Sequence, residues 1–470
     1  MHESIHLDDG SRVAIVGGGP AGSFTAYFLR EICDRVGIEV DVDIFEAKDF
    51  SKPGPAGCNH CGGIVSESLV QMLASEGIIL PDAVVQRGIQ AYVLHSGPAT
   101  VKITPPVNEK RIAAIYRGAG PLAPGGPVRQ GLDPHLLRLA ERKGAQLINR
   151  KVHVIDRDSS GKILLQCGQD RFGPYDFLVG AGGLSEATKA QFEKCLGHPV
   201  RHKTTRALIY ELYLGEQAVD HFLDHSMHVF LQTFKGLEFA AIIPKGEYAT
   251  VCLVGDDPGK EMADTFLASQ EVTRLLPPDL DIYKRVCACK PLLNLKTLDK
   301  PYADRVALVG DSGVTRLYKD GIGAAYRLAK SLAVTAVFQG VSAHDFDNFY
   351  WKKCRQIQKD NGYGEIIFNL GEGVIKRVSP LRYGILRTVK NEQQKPGRKR
   401  FMSMAMWDTF TGSAPYKDII KRMLRPGVAS RVVFQSLVSL FAPPPRGENN
   451  DSVRRAWQAL QGRREDSHPR

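Results

Sequence analysis

The sequence predicts an α/β protein in which a parallel sheet is interrupted by an antiparallel sheet, an α+β insertion, and followed by a helical C-terminal region. Three observations predict it. An apolar, β-branched run, Arg12 to Val16, enters a glycine-rich turn and then a helical pattern from Ala21 through Ile32. Between Arg206 and Leu253, short alternating and aromatic-rich segments have the period of strands. Later, a second buried run, Val306 to Gly310, leads into a helix from about Gly323 to Gln339.

The first strand, followed directly by its helix and by a second strand at Val40 to Phe45, makes a β-α-β unit. A loop rich in Gly, Pro and Cys follows at Cys58 to Gly63, and Ser66 is placed to cap a helix running to Ala74. Ile89 to Leu94, Thr100 to Ile103 and Ile112 to Tyr116 are strand-like and suggest an inserted sheet. The helix Pro134 to Lys143 and the strands Val152 to Asp156 and Lys162 to Cys167 return the chain to its first domain. Ala207 to Leu214, Met227 to Leu231, Phe239 to Ile243 and Ala249 to Val254 then form an antiparallel sheet, expected to wall a substrate cavity. Beyond Ser342 the pattern is helical, and Pro443, Pro444, Pro445 with an arginine-rich end predict a poorly ordered tail. The expected domains are a discontinuous Rossmann-type unit (1–90, 117–190 and 300–342), a substrate sheet (91–116 and 191–299), a basic helical region (343–441) and the tail (442–470).

Composition bounds the function. With 470 residues, 43% hydrophobic and 24% charged, the chain is globular and large enough for two or three units. No run of about 18 apolar residues occurs, so membrane contact is expected to be peripheral. Met1 to Arg12 is polar and acidic, unlike a secretory signal, and nine irregularly spaced cysteines do not form a disulfide framework. A cytoplasmic protein with reduced thiols is expected, any peripheral placement being at the inner face of a membrane. The net charge of +11 is concentrated: from Lys376 onward there are 20 Lys/Arg against 7 Asp/Glu. There the cations alternate with Phe401, Met402, Met404, Met406, Trp407, Phe410, Ile419, Ile420, Met423 and Leu424. Docking to an anionic membrane surface or an acidic partner is one reading; helices packed over the substrate domain with a basic outer face are the other. No nucleic-acid reading module accompanies the charge, so nucleic acid is not an expected partner.

The chemistry begins at Gly17, Gly19 and Gly22, which stand at GxGxxG spacing where a strand turns into a helix opened by Pro20 and Ala21. The first glycine permits the tight turn, the second lets a diphosphate approach the backbone, and the third lets helix and strand pack closely. Glu46, at the end of the second strand, can accept hydrogen bonds from an adenosine ribose. The cofactor expected is therefore an adenine dinucleotide.

Later segments narrow it to FAD. Leu308-Val309-Gly310-Asp311-Ser312, followed by Asp320-Gly321-Ile322-Gly323, resembles the second FAD motif of the p-hydroxybenzoate hydroxylase fold. The resemblance implies that Asp311 binds the flavin ribityl chain or its neighbouring phosphate, and that the Gly321-Ile322-Gly323 helix start faces the isoalloxazine ring. The segment Arg129 to Asp133 is similar to the stretch whose arginine lies against the cofactor. Gly57-Cys58-Asn59-His60-Cys61-Gly62-Gly63 resembles the cysteine and glycine loop of the geranylgeranyl reductase family, FAD enzymes that saturate isoprenoid double bonds. Residues 12 to 340 carry the likeness. It implies hydride delivery to a carbon-carbon double bond of an apolar, isoprenoid-like or lipid substrate, with NAD(P)H or a ferredoxin-like protein as electron donor. Gly182 stands where the fold's Gly-Ala-Asp-Gly motif has aspartate, which turns the expectation from direct NADPH use toward a protein carrier. A flavin monooxygenase of the same fold, and a docked electron-transfer flavoprotein, are the competing functions.

Cys58 and Cys61 form a CxxC with three readings: a redox pair exchanging electrons with the flavin, a reactive cysteine acting on substrate, or two packed thiols. His60, between them, could donate a proton to a carbanion-like centre, or be a surface loop histidine. Cys287 and Cys289 would complete a four-thiolate metal or iron-sulfur site only if the fold united the pairs; no metal is expected. Tyr318 and Lys319 read equally as flavin-pocket residues and as a solvated loop.

Overall fold

The computed structural model describes residues 5–59, 61–107, 110–122, 128–231, 236–278, 280–281, 285–445 and 455–459. The β-branched run at the start becomes the strand Ser11–Val16, central in a six-stranded sheet. The strand order is Tyr302–Ala303, Val306–Leu308, Phe177–Gly180, Ser11–Val16, Val40–Phe45, Gln146–Ile148, all parallel except the edge strand Tyr302–Ala303. Both faces are buried, which is why its strands are apolar throughout: helices cover one, and the antiparallel strands Val154–Arg157, Ile163–Cys167 and Asp170–Tyr175 with helix Glu186–Leu196 cover the other. The first helix, Pro20–Val36, packs against the late helix Gly321–Phe338, with Phe24 edge-on to Tyr326 at 5.8 Å.

A larger sheet is antiparallel but for one pair. Its order is Arg285–Cys289, Lys203–Tyr213, Tyr248–Gly255, Leu237–Lys245, Ser226–Phe230, Ala91–Ser96, Ala99–Ile103, and Leu292–Lys296 also pairs with Lys203–Tyr213. Its two faces are both buried. Leu208, Tyr210 and Leu253 face helices Lys260–Leu267 and Gln270–Thr273. Ala207, Ile209 and Ala241 share a core with Ile385, Met402, Trp407 and Val432 of the C-terminal helices. Trp407 is fully buried, edge-on to Tyr92 at 4.9 Å, so this part of the basic region does pack back over the sheet.

The architecture is the expected mixed α/β one, with local differences. The run Ile89 to Leu94, read as one strand, breaks at Gln90, whose N–H is turned to the carbonyl of His225. Val85–Ile89 pairs with Ile112–Ile115 and through it with Ile64–Ser66, while Ala91–Ser96 joins the large sheet. Val154–Arg157 and Ile163–Cys167 do not enter the parallel sheet; with Asp170–Tyr175 they form a separate antiparallel one. The strand that returns to the parallel sheet is the short Gln146–Ile148. Within the end expected to be poorly ordered, the Pro445 carbonyl accepts from Thr100 N–H at 3.0 Å, and buried Trp457 packs on Phe222 at 5.3 Å.

Candidate flavin and substrate site

The glycine turn is built as its spacing requires. Gly17 has φ +111°, and a Cβ there would lie 2.5 Å from the Ala181 carbonyl oxygen of the neighbouring strand. A Cβ at Gly22 would lie 1.8 Å from the Gly17 oxygen, so only glycine lets the helix come this close to the strand. Gly19 caps the helix with Pro20 in its first turn, and a Cβ there would meet only Asn59 Nδ2, at 3.3 Å. Glu46 is fixed beside the turn: its carboxylate accepts from Gly18 N–H and from Lys48 N–H, both at 2.8 Å. Each oxygen retains capacity to accept a ribose hydroxyl.

The late motif joins this turn. Val309 N–H donates to the Gly180 carbonyl, and a Cβ on Gly310 would sit 2.7 Å from that of Ala21. Asp311 follows, exposed, in a short turn held by Ser312 Oγ donating to the Gly183 carbonyl at 3.0 Å. Asp320, at φ +60°, opens the late helix, and its carboxylate is engaged by Arg327 at 2.8 Å. A Cβ on Gly323 would collide with that carboxylate, whereas Gly321 is open, with Thr315 Oγ1 nearest at 3.7 Å. That hydroxyl is buried and has no hydrogen-bond partner. An unanswered donor beside the free amides of Gly321 and Ile322 is what an acceptor-rich cofactor edge would satisfy.

Arg129 lies elsewhere than the turn. Its guanidinium donates to Glu247 at 2.6 Å and sits 5.8 Å from the Tyr248 ring, closing a cleft lined also by Phe50, Ser51 and Gln130. The arginine that reaches the cysteine loop is Arg117, which sequence analysis missed. It forks onto Asp133 at 2.5 and 2.9 Å, and Asn59 Nδ2 donates to the same carboxylate at 2.5 Å. Lys48 ties the other side of the loop, donating to the Cys58 carbonyl at 2.8 Å. His60 lies outside the described residues.

The loop so pinned borders a small chamber, a cavity of about 40 Å³, against the large sheet. Its lining includes Cys58, Cys61, Tyr116, Glu211, Lys245 and Cys287, with Cys289 beside them. Register explains the gathering: Ile209 stands opposite both Cys252 and Cys289, and Glu211 opposite both Thr250 and Cys287. The two cysteine pairs therefore do meet. Yet among the described residues no three His, Cys, Asp or Glu side chains are grouped to hold a metal ion, so the four-thiolate alternative is not formed.

Burial sets the protonation states here. It pushes the Cys252 thiol up to about 12 and that of Cys287 to about 11, and raises Cys289 further, so these three are neutral. Burial also raises Glu211, opposed by Lys245 and by the Thr250 hydroxyl, which donates to the carboxyl at 2.7 Å. Lys245 is almost wholly enclosed, with its ammonium 4.9 Å from the Tyr116 ring, and the Tyr116 hydroxyl is buried without a partner. Lys319 is lowered to about 8 because its ammonium is enclosed, 4.5 Å from the Phe239 ring. Of these, Glu211 and Lys245 carried a sequence signal, being charges in strands whose neighbours are apolar.

Parallel sheet, glycine turn, late aspartate turn and inserted antiparallel sheet together make the fold that of p-hydroxybenzoate hydroxylase-type FAD enzymes. Solved structures bear this out at low identity. A geranylgeranyl bacteriochlorophyll reductase-like protein from Thermoplasma acidophilum superimposes with a TM-score of 0.60 at 13% identity, over 88% of this chain and 98% of that one. A variant of HpxO from Klebsiella pneumoniae, solved in complex with FAD, gives 0.55 at 14%, over 85% and 98%. The tetrameric form of 2-methyl-3-hydroxypyridine-5-carboxylic acid oxygenase gives 0.56 at 18%, over 78% and 93%. No protein-family model and no curated protein matches the sequence.

Proposed function

We propose that the protein is an FAD-dependent reductase that saturates a carbon-carbon double bond of an apolar, isoprenoid-like substrate. The carrying observation is the chamber itself: the CxxC loop, pinned beside the first helix by Lys48 and Asp133, faces a buried carboxyl on the large sheet. Gly17, Gly19, Pro20, Ala21, Gly22 and Glu46 would hold the adenosine and diphosphate, Asp311 the ribityl chain, and Gly321, Ile322 and Gly323 the ring, with Arg129 closing the cleft. Bound FAD supplies a hydride. The proton that must reach the neighbouring carbon would come from Glu211, whose carboxyl burial raises above the ordinary carboxylate range and whose oxygens Thr250 orients. Cys61 Sγ, accepting from Gly63 N–H at 3.1 Å, is fixed at the chamber wall. Neutral thiols, Ile209 and Tyr116 exclude water from the reacting carbons.

Three of the structures it resembles are described as reductase-like, FAD-complexed and oxygenase proteins, so oxygen use is the discriminating measurement. The purified protein is expected to be yellow and, reduced anaerobically, to be reoxidised by geranylgeranyl diphosphate with a two-hydrogen mass gain in the lipid. Oxygen uptake coupled to turnover would favour a monooxygenase instead. A colourless protein that takes up no FAD would end both readings. If the thiol pair exchanges electrons, anaerobic titration of the wild type takes one two-electron equivalent more than that of Cys61→Ser; equal titrations assign the cysteines to packing or protonation.

A further inference from the structure

The helix Pro426–Val438 is anchored on one side only. Val428 and Val432 are buried toward Ser379–Glu392, and at Gly384 the helices nearly touch: a Cβ there would lie 2.2 Å from Ser436 Oγ. The opposite side carries Val433, Phe434 and Leu437, continued past the helix end by Leu440 and Phe441. All five are more than half exposed, and Phe441 is 92% exposed. Spaced at three and four residues, they form one apolar stripe pointing outward. A contiguous exposed patch of this kind marks a binding surface.

Charge identifies what binds. From Lys376 to Pro445 there are 14 Lys/Arg against 3 Asp/Glu, which accounts for the whole formal charge of +11. Two of the three acids are withdrawn from the surface. Glu392 is buried on the amides of Met402 and Ser403, and Asp408 is buried between Lys110 and Arg422. Arg425 and Arg431, exposed at the start of the helix and along it, have no carboxylate partner among the described residues.

We propose that this surface docks the protein onto an anionic lipid bilayer, with Phe434, Leu437 and Phe441 entering the acyl boundary and the arginines meeting headgroups. The attachment is peripheral, since among the described residues no helix is long and apolar enough to cross a membrane. It would bring the chamber to substrates that reside in lipid, but it stands independently of the flavin reading.

The test uses the full chain with vesicles of phosphatidylcholine, with and without phosphatidylglycerol. Co-sedimentation is expected with the anionic vesicles and to weaken as salt rises. Phe434→Glu with Leu437→Glu should lower the bound fraction at least tenfold, and Arg425→Gln or Arg431→Gln about fivefold each. Tryptophan emission of Phe434→Trp should shift to the blue on anionic vesicles alone. Absence of binding, binding unchanged in the double-glutamate variant, or a lipid-free dimer that this variant dissolves would overturn the proposal. Cofactor content and melting temperature, unaffected by these surface changes, report the fold and flavin site separately.

Discussion

Two glycines of the first turn separate folding from cofactor binding. A Cβ at Gly22 would lie 1.8 Å from the Gly17 oxygen, against an ordinary contact of at least 3.4 Å, so the first helix would have to withdraw by about 1.6 Å. Gly22→Ala should therefore act as overpacking and cost about 1–3 kcal/mol of stability, with flavin binding lost as a consequence. Gly19→Ala differs. Gly19 has φ −67°, suited to any residue, and its Cβ would meet only the end of the Asn59 side chain at 3.3 Å. The apoprotein should lose about 1 kcal/mol, the cost of replacing a favoured N-cap residue by alanine. A diphosphate seated on the helix amides would nonetheless meet the new methyl group, and FAD affinity should fall at least tenfold, about 1.4 kcal/mol. Gly37→Ala is the control, since Gly37 has φ +73° but nothing within 4 Å; it should cost stability alone. Urea denaturation of the apoprotein and fluorescence titration with FAD read the two quantities. If Gly19→Ala binds FAD as tightly as the wild type, the diphosphate does not lie on these amides and the cofactor assignment fails.

The remaining predictions concern buried titratable groups. Because burial raises Glu211 above its unfolded value, its contribution is fully present below about pH 4.5 and is lost as pH rises through the folded value. Glu211→Gln should then grow more stable relative to wild type as pH rises above about 4.5, read by denaturant titration; a constant difference would mean that the carboxyl is not raised by folding. His95, lowered to about 3 by burial, bonds His228 ring to ring at 2.9 Å, and His228 is lowered as well. Stability held above about pH 6.5 should be lost on acidification by about 1.4 kcal/mol per pH unit for each histidine, and replacing both with Asn should flatten that slope.

How much was legible follows from what each constraint writes into the chain. Gly17 and Gly22 are forced by backbone geometry, so their spacing is visible without a structure, as is Ser66, whose hydroxyl accepts from Leu69 N–H. The split at Gln90 was not visible, because alternation reports that a segment is extended and not which sheet it joins. Glu211 stands out as a charge among apolar neighbours, but that it faces a covered cavity and not solvent depends on both faces of its sheet being packed, which the alternation does not report. Arg117 and Asp133 meet only through tertiary packing. Lys319, weighed equally as loop and pocket, proves enclosed against Phe239. The pattern around Trp407 showed a buried face without naming Tyr92 as its partner.

The contact of Gly310 with Ala21 has a consequence for biosynthesis. The nucleotide cradle joins segments that lie far apart along the polypeptide, at Gly17 to Glu46 and at Gly310 to Gly323, so a nascent chain cannot complete it when the first helix leaves the ribosome. At about 5–20 residues per second, the complementary segment emerges on the order of 15 to 60 s later. Until then the apolar underside of Pro20–Val36 lacks the late helix that covers it, and the cradle cannot close on a cofactor before that segment has been made.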